Sequence, residues 1–201
     1  MTSDLNVPKP SPSEVQKYLD KWQTLDNYPK QESALNKLFF EFAPGNTDMN
    51  DILLKCATLN DFYSTRIRTI DLVYVADNIA KIDNLDELLE KGDTTLIDKM
   101  QIFKDKEGLK RRCYSFATKY CSHHNPIALP IYDSFVDEML WHFQKTYQFS
   151  NFHRKDLKNY QRFIETLLDF KRYFDLNDVG FKELDRYLWQ LGKDTFGNKK
   201  E

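Results

Sequence analysis

The chain is poor in turn formers: its 201 residues include 6 glycines and 7 prolines. Folds assembled from many short strands need more of both, so this scarcity speaks against a β-sandwich or barrel and for helices. Cysteine is scarce as well. Cys56, Cys113 and Cys121 make an odd count, and nothing ahead of them reads as a secretory signal, because Met1 to Pro12 is polar and lacks an apolar core. Such thiols are expected to be reduced and mostly buried, in a cytoplasmic protein. No apolar run approaches the ~20 residues of a membrane-spanning helix, so no membrane partner is expected. An excess of one charge is also missing: 29 Lys and Arg stand against 31 Asp and Glu, for a formal charge of −2. A binder that grips nucleic acid non-specifically would be basic overall, which leaves only a local basic face for that role.

Most signatures of chemistry are absent too. There is no Gly-rich phosphate loop, Gly-x-Gly-x-x-Gly, His-Glu-x-x-His or Cys-x-x-Cys. Nucleotide hydrolysis, dinucleotide redox chemistry and zinc proteolysis therefore lose their simplest support. Cys121-Ser122-His123-His124, with Cys113 eight residues upstream, is too crowded to supply four spaced ligands. Adjacent histidines at a helix end suit the last carbonyls and the helix dipole better, so neither a metal nor another cofactor is expected.

What is present is apolar surface, with 41% hydrophobic and 14% aromatic residues, enough for a sizeable core. It is laid out with helical period. Ser11-Pro12-Ser13-Glu14 opens a first helix, with Ser11 as N-cap and Pro12 at the first helical position. Val15, Tyr18, Leu19 and Trp22 follow at i, i+3, i+4 and i+7. Comparable stripes run through 34–42, 49–57, 85–89 with Gly92 as a stop, 96–100, 136–147, 160–168 and 184–191. The segment with Ile67, Ile70, Val73, Tyr74 and Ile79 is apolar around much of its girth and is expected at the centre. A further helix is expected from about Glu107 to Cys121, burying Leu109, Cys113, Phe116, Ala117 and Tyr120. No segment alternates long enough to read as a strand. The expectation is an all-α fold, with residues 1–10 a loose leader, 11–193 one domain and 194–201 a fraying tail.

Two basic clusters stand out: Lys110-Arg111-Arg112 with Lys119, and Arg154-Lys155 with Lys158 and Arg162. Residues three or four apart share a helix face, so Arg112 could present charge together with Lys119. The plain alternative is a solvated face.

One stretch carries a resemblance. Ser115-Phe116-Ala117-Thr118-Lys119-Tyr120, through Asn125-Pro126, to Pro130-Ile131-Tyr132-Asp133-Ser134-Phe135-Val136 resembles the helix-hairpin-helix DNA glycosylase superfamily, where the hairpin's second helix meets a Val-Asp-Thr-His-Val-like turn. The family's catalytic carboxylate then falls on Asp133. Leu53 to Ile79 looks like the family's paired helices around a base-probing turn, with Asn60 as the nearest match. The ending Leu184-Asp185-Arg186-Tyr187-Leu188-Trp189 is similar to bacterial proteins labelled 8-oxoguanine glycosylase-like.

The departures are specific. Lys106-Glu107-Gly108-Leu109-Lys110-Arg111-Arg112 replaces the family's Gly-rich hairpin, whose backbone approaches a DNA phosphate. The nucleophilic lysine of bifunctional members should fall near Tyr114 or Ser115, and neither is a lysine; Lys119 lies more than a helical turn further along. No counterpart of the family's four-cysteine cluster is present.

The resemblance thus implies a glycosylase-like fold of two helical halves around a cleft near Asp133. It implies DNA as partner and monofunctional base excision through the Asp133 carboxylate. Tyr114, Phe116, Tyr132 and Trp141 would offer stacking surface for an extruded base, while Lys110, Arg111, Arg112 and Lys119 would hold the DNA backbone. On the residues alone, Asp133 is equally an N-cap, Asn60 a turn residue, and the aromatics core. The alternative function is a non-catalytic helical module that binds DNA or protein on the same scaffold.

Overall fold

The computed structural model describes residues 7–197; residues 1–6 of the expected leader and 198–201 of the expected tail lie outside them. The described chain is mostly helical, with a single two-stranded hairpin as its sheet. It forms two compact units, one running from Asp26 to Ile131 and the other combining the stretch through Leu25 with the stretch from Tyr132 onward. No helix among the described residues is long and apolar enough to cross a membrane.

The discontinuous unit holds α1 (Pro12–Gln23), α8 (Ser134–Tyr147), a 3-10 turn (Arg154–Lys158), α9 (Tyr160–Tyr173) and α10 (Phe181–Phe196). Ser11 caps α1 through its hydroxyl, which accepts from the Glu14 N–H at 3.2 Å, and Pro12 takes the first helical position as its fixed φ allows. α10 packs on α8 and α1, and it continues to Phe196, where Asp194 pairs with Lys21 at 2.6 Å. The core is aromatic: Phe143, Phe149, Phe170 and Phe174 pack ring on ring with centroids 4.7–6.1 Å apart.

Contact between α8 and α10 is set by a glycine. A methyl group on Gly192 would lie 2.8 Å from both Cβ and the backbone oxygen of Phe135. Gly192→Ala is therefore expected to destabilise the chain by about 1–3 kcal/mol through overpacking, against the smaller gain in helix propensity. A thermal or urea melt reads this directly, and an unchanged midpoint would contradict the close approach.

The continuous unit holds α2 (Tyr28–Lys37), a π-helical turn (Leu38–Phe42), α3 (Met49–Phe62), a 3-10 turn (Thr69–Asp71), α4 (Leu72–Ala80), α5 (Leu85–Glu90), α6 (Leu96–Met100), β1 (Ile102–Lys104), β2 (Lys110–Arg112) and α7 (Tyr114–His124). Gly92 ends α5 as its position predicts, at φ +68, with its N–H on the Leu89 carbonyl. α3 packs against α4 and α7, and α6 against α7.

Two expectations change here. The segment 67–79 is not central: α4 buries Leu72, Val75, Ala76 and Ile79, while Ile70, Val73 and Tyr74 are exposed. The helix expected from Glu107 starts only at Tyr114, and 102–112 is an antiparallel hairpin pairing Ile102 with Arg112, Phe103 with Arg111 and Lys104 with Lys110. Asp105 causes this. Its buried carboxylate accepts the N–H groups of Glu107 and Leu109 at 3.0 and 2.8 Å, an Asx-type turn that Gly108 completes at φ +78.

Candidate functional site

Asp133 is the N-cap of α8, in extended conformation, and one carboxylate oxygen accepts the Phe135 N–H at 2.9 Å. It is half-buried. Its neighbour Tyr132 is buried and braced: the phenol donates to Asp137 Oδ2 at 2.8 Å and accepts from Lys158 Nζ, while Arg154 Nε donates to Asp137 Oδ1 at 2.6 Å. Asp137 is itself buried. Tyr132 is thus held as a fixed strut at the entry to α8, and its ring packs edge-on against Phe163 at 5.5 Å. Trp141, two turns along α8, is half-buried and meets Phe152 edge-on at 6.3 Å.

The remaining candidate residues belong to the continuous unit. Asn60, in the last turn of α3, spends its side chain on the loop that follows. Its Nδ2 donates to the Ile67 carbonyl, and its Oδ1 accepts from Thr65 Oγ1 and the Ile67 N–H. That is the turn-stabilising role of an Asn. Tyr114 and Phe116 are buried in the first turn of α7, Tyr114 beneath the Arg112 guanidinium at 5.3 Å and Phe116 beside Tyr120.

Lys110, Arg111 and Arg112 are exposed on β2, not on a helix. Arg111 Nε donates to Asp105 at 2.6 Å and Arg112 Nε to Gln101 Oε1 at 2.6 Å. Lys119 does not share a surface with Arg112: it is 1% exposed within α7. Helical side chains tilt toward the helix N-terminus, so its ammonium reaches back to donate to Ser115 Oγ at 2.6 Å. The amine therefore stands beside the position where the resemblance expected a lysine, delivered from one turn below. It also lies over the Tyr63 ring at 5.2 Å, and the Tyr63 phenol shares a 2.9 Å hydrogen bond with His123 Nε2.

Sequence reasoning missed a buried polar cluster in this unit. Lys55 is 0% exposed, and its ammonium donates to the Gly45 carbonyl at 2.8 Å and Asn46 Oδ1 at 2.6 Å. Tyr120 also donates to Asn46 Oδ1, while the Asn46 amide donates to Asp86. Burial pushes the Lys55 pKa down to about 8, against the pull of Asp86 and Asp51. His124 packs edge-on to Phe39, and its Nε2 is buried without a hydrogen-bond partner. Burial, reinforced by the Lys55 charge, pushes its pKa down to about 3. Burial raises the thiols of Cys56, Cys113 and Cys121, so all three are free, protonated and unreactive. No group of three or more His, Cys, Asp and Glu among the described residues could hold a metal ion.

The family model HI_0787_N, described as an N-terminal domain, matches residues 14–128, more than half of the chain. The chain belongs to the HI_0787_N family. It is 50% identical over 141 residues to an uncharacterized protein of Haemophilus influenzae, a match that covers 70% of this chain and 66% of that protein. The chain thus spans slightly less than two thirds of that relative's length. No solved structure matches it. The HI_0787_N match takes in all but the first two residues of α1 and continues through α7, and with them Asn60, the hairpin cations, Ser115, Lys119 and the Lys55 cluster. Asp133, Tyr132 and Trp141 follow it in sequence.

Proposed function

We propose that the protein binds DNA and excises a damaged or modified base as a monofunctional N-glycosylase, with the Asp133 carboxylate as its catalytic group. The observation that carries the reading is the carboxylate fixed at the entry to α8 by the Phe135 N–H and by a preceding residue locked between Asp137 and Lys158. In this chemistry the bond from the sugar C1′ to the base nitrogen breaks, and positive charge develops on the sugar. A rigid carboxylate stabilises that cation or takes a proton from the attacking water. Water supplies the new C1′–O bond, and the departing base takes up a proton.

The test is base release from a panel of lesion-containing and modified duplexes, with abasic sites revealed by alkali. Wild type is expected to release base, and Asp133→Asn to reduce the rate at least ~100-fold while leaving duplex retention unchanged. No release by folded wild type on any duplex abandons the enzyme for the non-catalytic module. Borohydride trapping probes Lys119 separately. A covalent adduct lost in Lys119→Gln would replace water by an amine as nucleophile and make the reaction a lyase step; the monofunctional reading expects no adduct.

A further inference from the structure

The hairpin of β1 and β2 carries charge that the fold does not need. Directly opposed residues of an antiparallel pair lie on one face, and the register opposes Lys104 to Lys110 and Ile102 to Arg112. The other face is used for folding: Phe103 is buried there, and Arg111 reaches the buried Asp105. Two lysines opposed across strands repel each other, and neither forms an ion pair among the described residues. Residues 102–112 hold five cations and two carboxylates in a chain whose formal charge is −2. Both carboxylates are already engaged: Asp105 by Arg111 and the turn amides, Glu107 by Arg68 at 2.7 Å. The outward face therefore sets the unpaired cations Lys104 and Lys110 side by side across the strands. At its tip, Gly108 has no atom within 4 Å of where a Cβ would stand, and Leu109 is 55% exposed.

We propose that this hairpin is a DNA-holding β-ribbon. Lys104 and Lys110 neutralise backbone phosphates of a duplex, and the Gly108–Leu109 tip enters the major groove, whose ~12 Å width admits a two-stranded ribbon. The cross-strand repulsion is relieved when phosphates lie between the lysines. Arg111 is not a contact; it holds Asp105 and so keeps the ribbon rigid. The inference rests on the reading that DNA is the partner and is independent of catalysis at Asp133.

Retention of an undamaged 20-base-pair duplex by the full chain, titrated with NaCl, tests it. Each neutralised phosphate contributes ~0.9 to the slope of log K against log salt. Lys104→Ser/Lys110→Ser is expected to weaken retention at low salt and to lower that slope by about 1.8. Lys104→Glu should keep or raise thermal stability, since it sets opposite charges across the strands, yet weaken retention further. A purely structural role would move stability and retention together. An unchanged slope in the double variant, with wild type retaining the duplex, overturns the ribbon and leaves the Asp133 reading intact. Retention by wild type with no salt dependence, or none at all, removes DNA from both.

Discussion

Between pH 6.5 and 4.5 the protein is expected to lose about 2 kcal/mol of stability through His124 alone. The imidazole is ordinary in the unfolded chain, but in the fold its pKa is lowered to about 3, chiefly by burial and further by the Lys55 charge. The unfolded state therefore binds the proton more readily across this window. The stabilisation is fully present above pH 6.5, shrinks as pH falls, and would reach on the order of 5 kcal/mol lost by pH 3. Carboxylates held below their ordinary values, such as Asp71 and Asp105, add to acid loss only nearer pH 4, so the upper part of the window isolates histidine. His142 shifts the same way through burial and contributes a smaller slope. Urea melts at pH 7.5, 6.5, 5.5 and 4.5 on wild type and His124→Phe measure the effect. The phenyl ring keeps the packing on Phe39 and Tyr120 and discards the unpaired Nε2, so the variant should be more stable at neutral pH and nearly flat to 5.5. Equal slopes in the two proteins would place the acid sensitivity elsewhere.

Helix caps and stripes were legible because they depend on neighbours in sequence. Ser11, Asp133 and Gly92 each do locally what their type and position require. The hairpin was not legible. Leu109, Cys113 and Phe116 fall at helical spacing, whereas the turn depends on Asp105 being buried beneath its own backbone, which no local pattern reveals. For the same reason Lys104 and Lys110, six residues apart, could not be seen as opposed neighbours. Lys119 was misread in kind and the burial of Lys55 was missed, because a lysine in a sequence defaults to solvent. Each is buried through a particular acceptor: Ser115 one turn back for Lys119, and the Gly45–Asn46 loop for Lys55. Tyr132 was placed correctly as Asp133's neighbour, but its brace comes from Asp137 and Lys158, whose roles only folding assembles.

Truncating Lys55 is expected to cost about 3–4 kcal/mol at pH 7. Two opposing terms decide this figure. A buried ammonium is unfavourable by itself, as its pKa of about 8 records, and removing it relieves that term. Lys55→Ala also deletes a fully buried side chain whose ammonium lies over the Phe39 and Tyr120 rings, and leaves the Gly45 carbonyl without its donor. The cavity and the unpaired carbonyl outweigh the relief. Lys55→Met separates the terms: it keeps the stem, so the loss should fall to about 1–2 kcal/mol. The pH dependence sharpens the test. With a folded pKa below the unfolded one, Lys55 adds stability that is fully present above pH 10.5 and is lost as pH falls through about 8. Wild type should therefore gain stability from pH 8 to 10, and neither variant should gain as much. Loss of the Lys55 charge must also let the His124 pKa rise, so Lys55→Met should show a shallower acid loss than wild type. A Lys55→Ala protein within 1 kcal/mol of wild type would mean that the ammonium is not holding the 45–46 loop. An unchanged acid slope in Lys55→Met would mean that His124 feels burial alone.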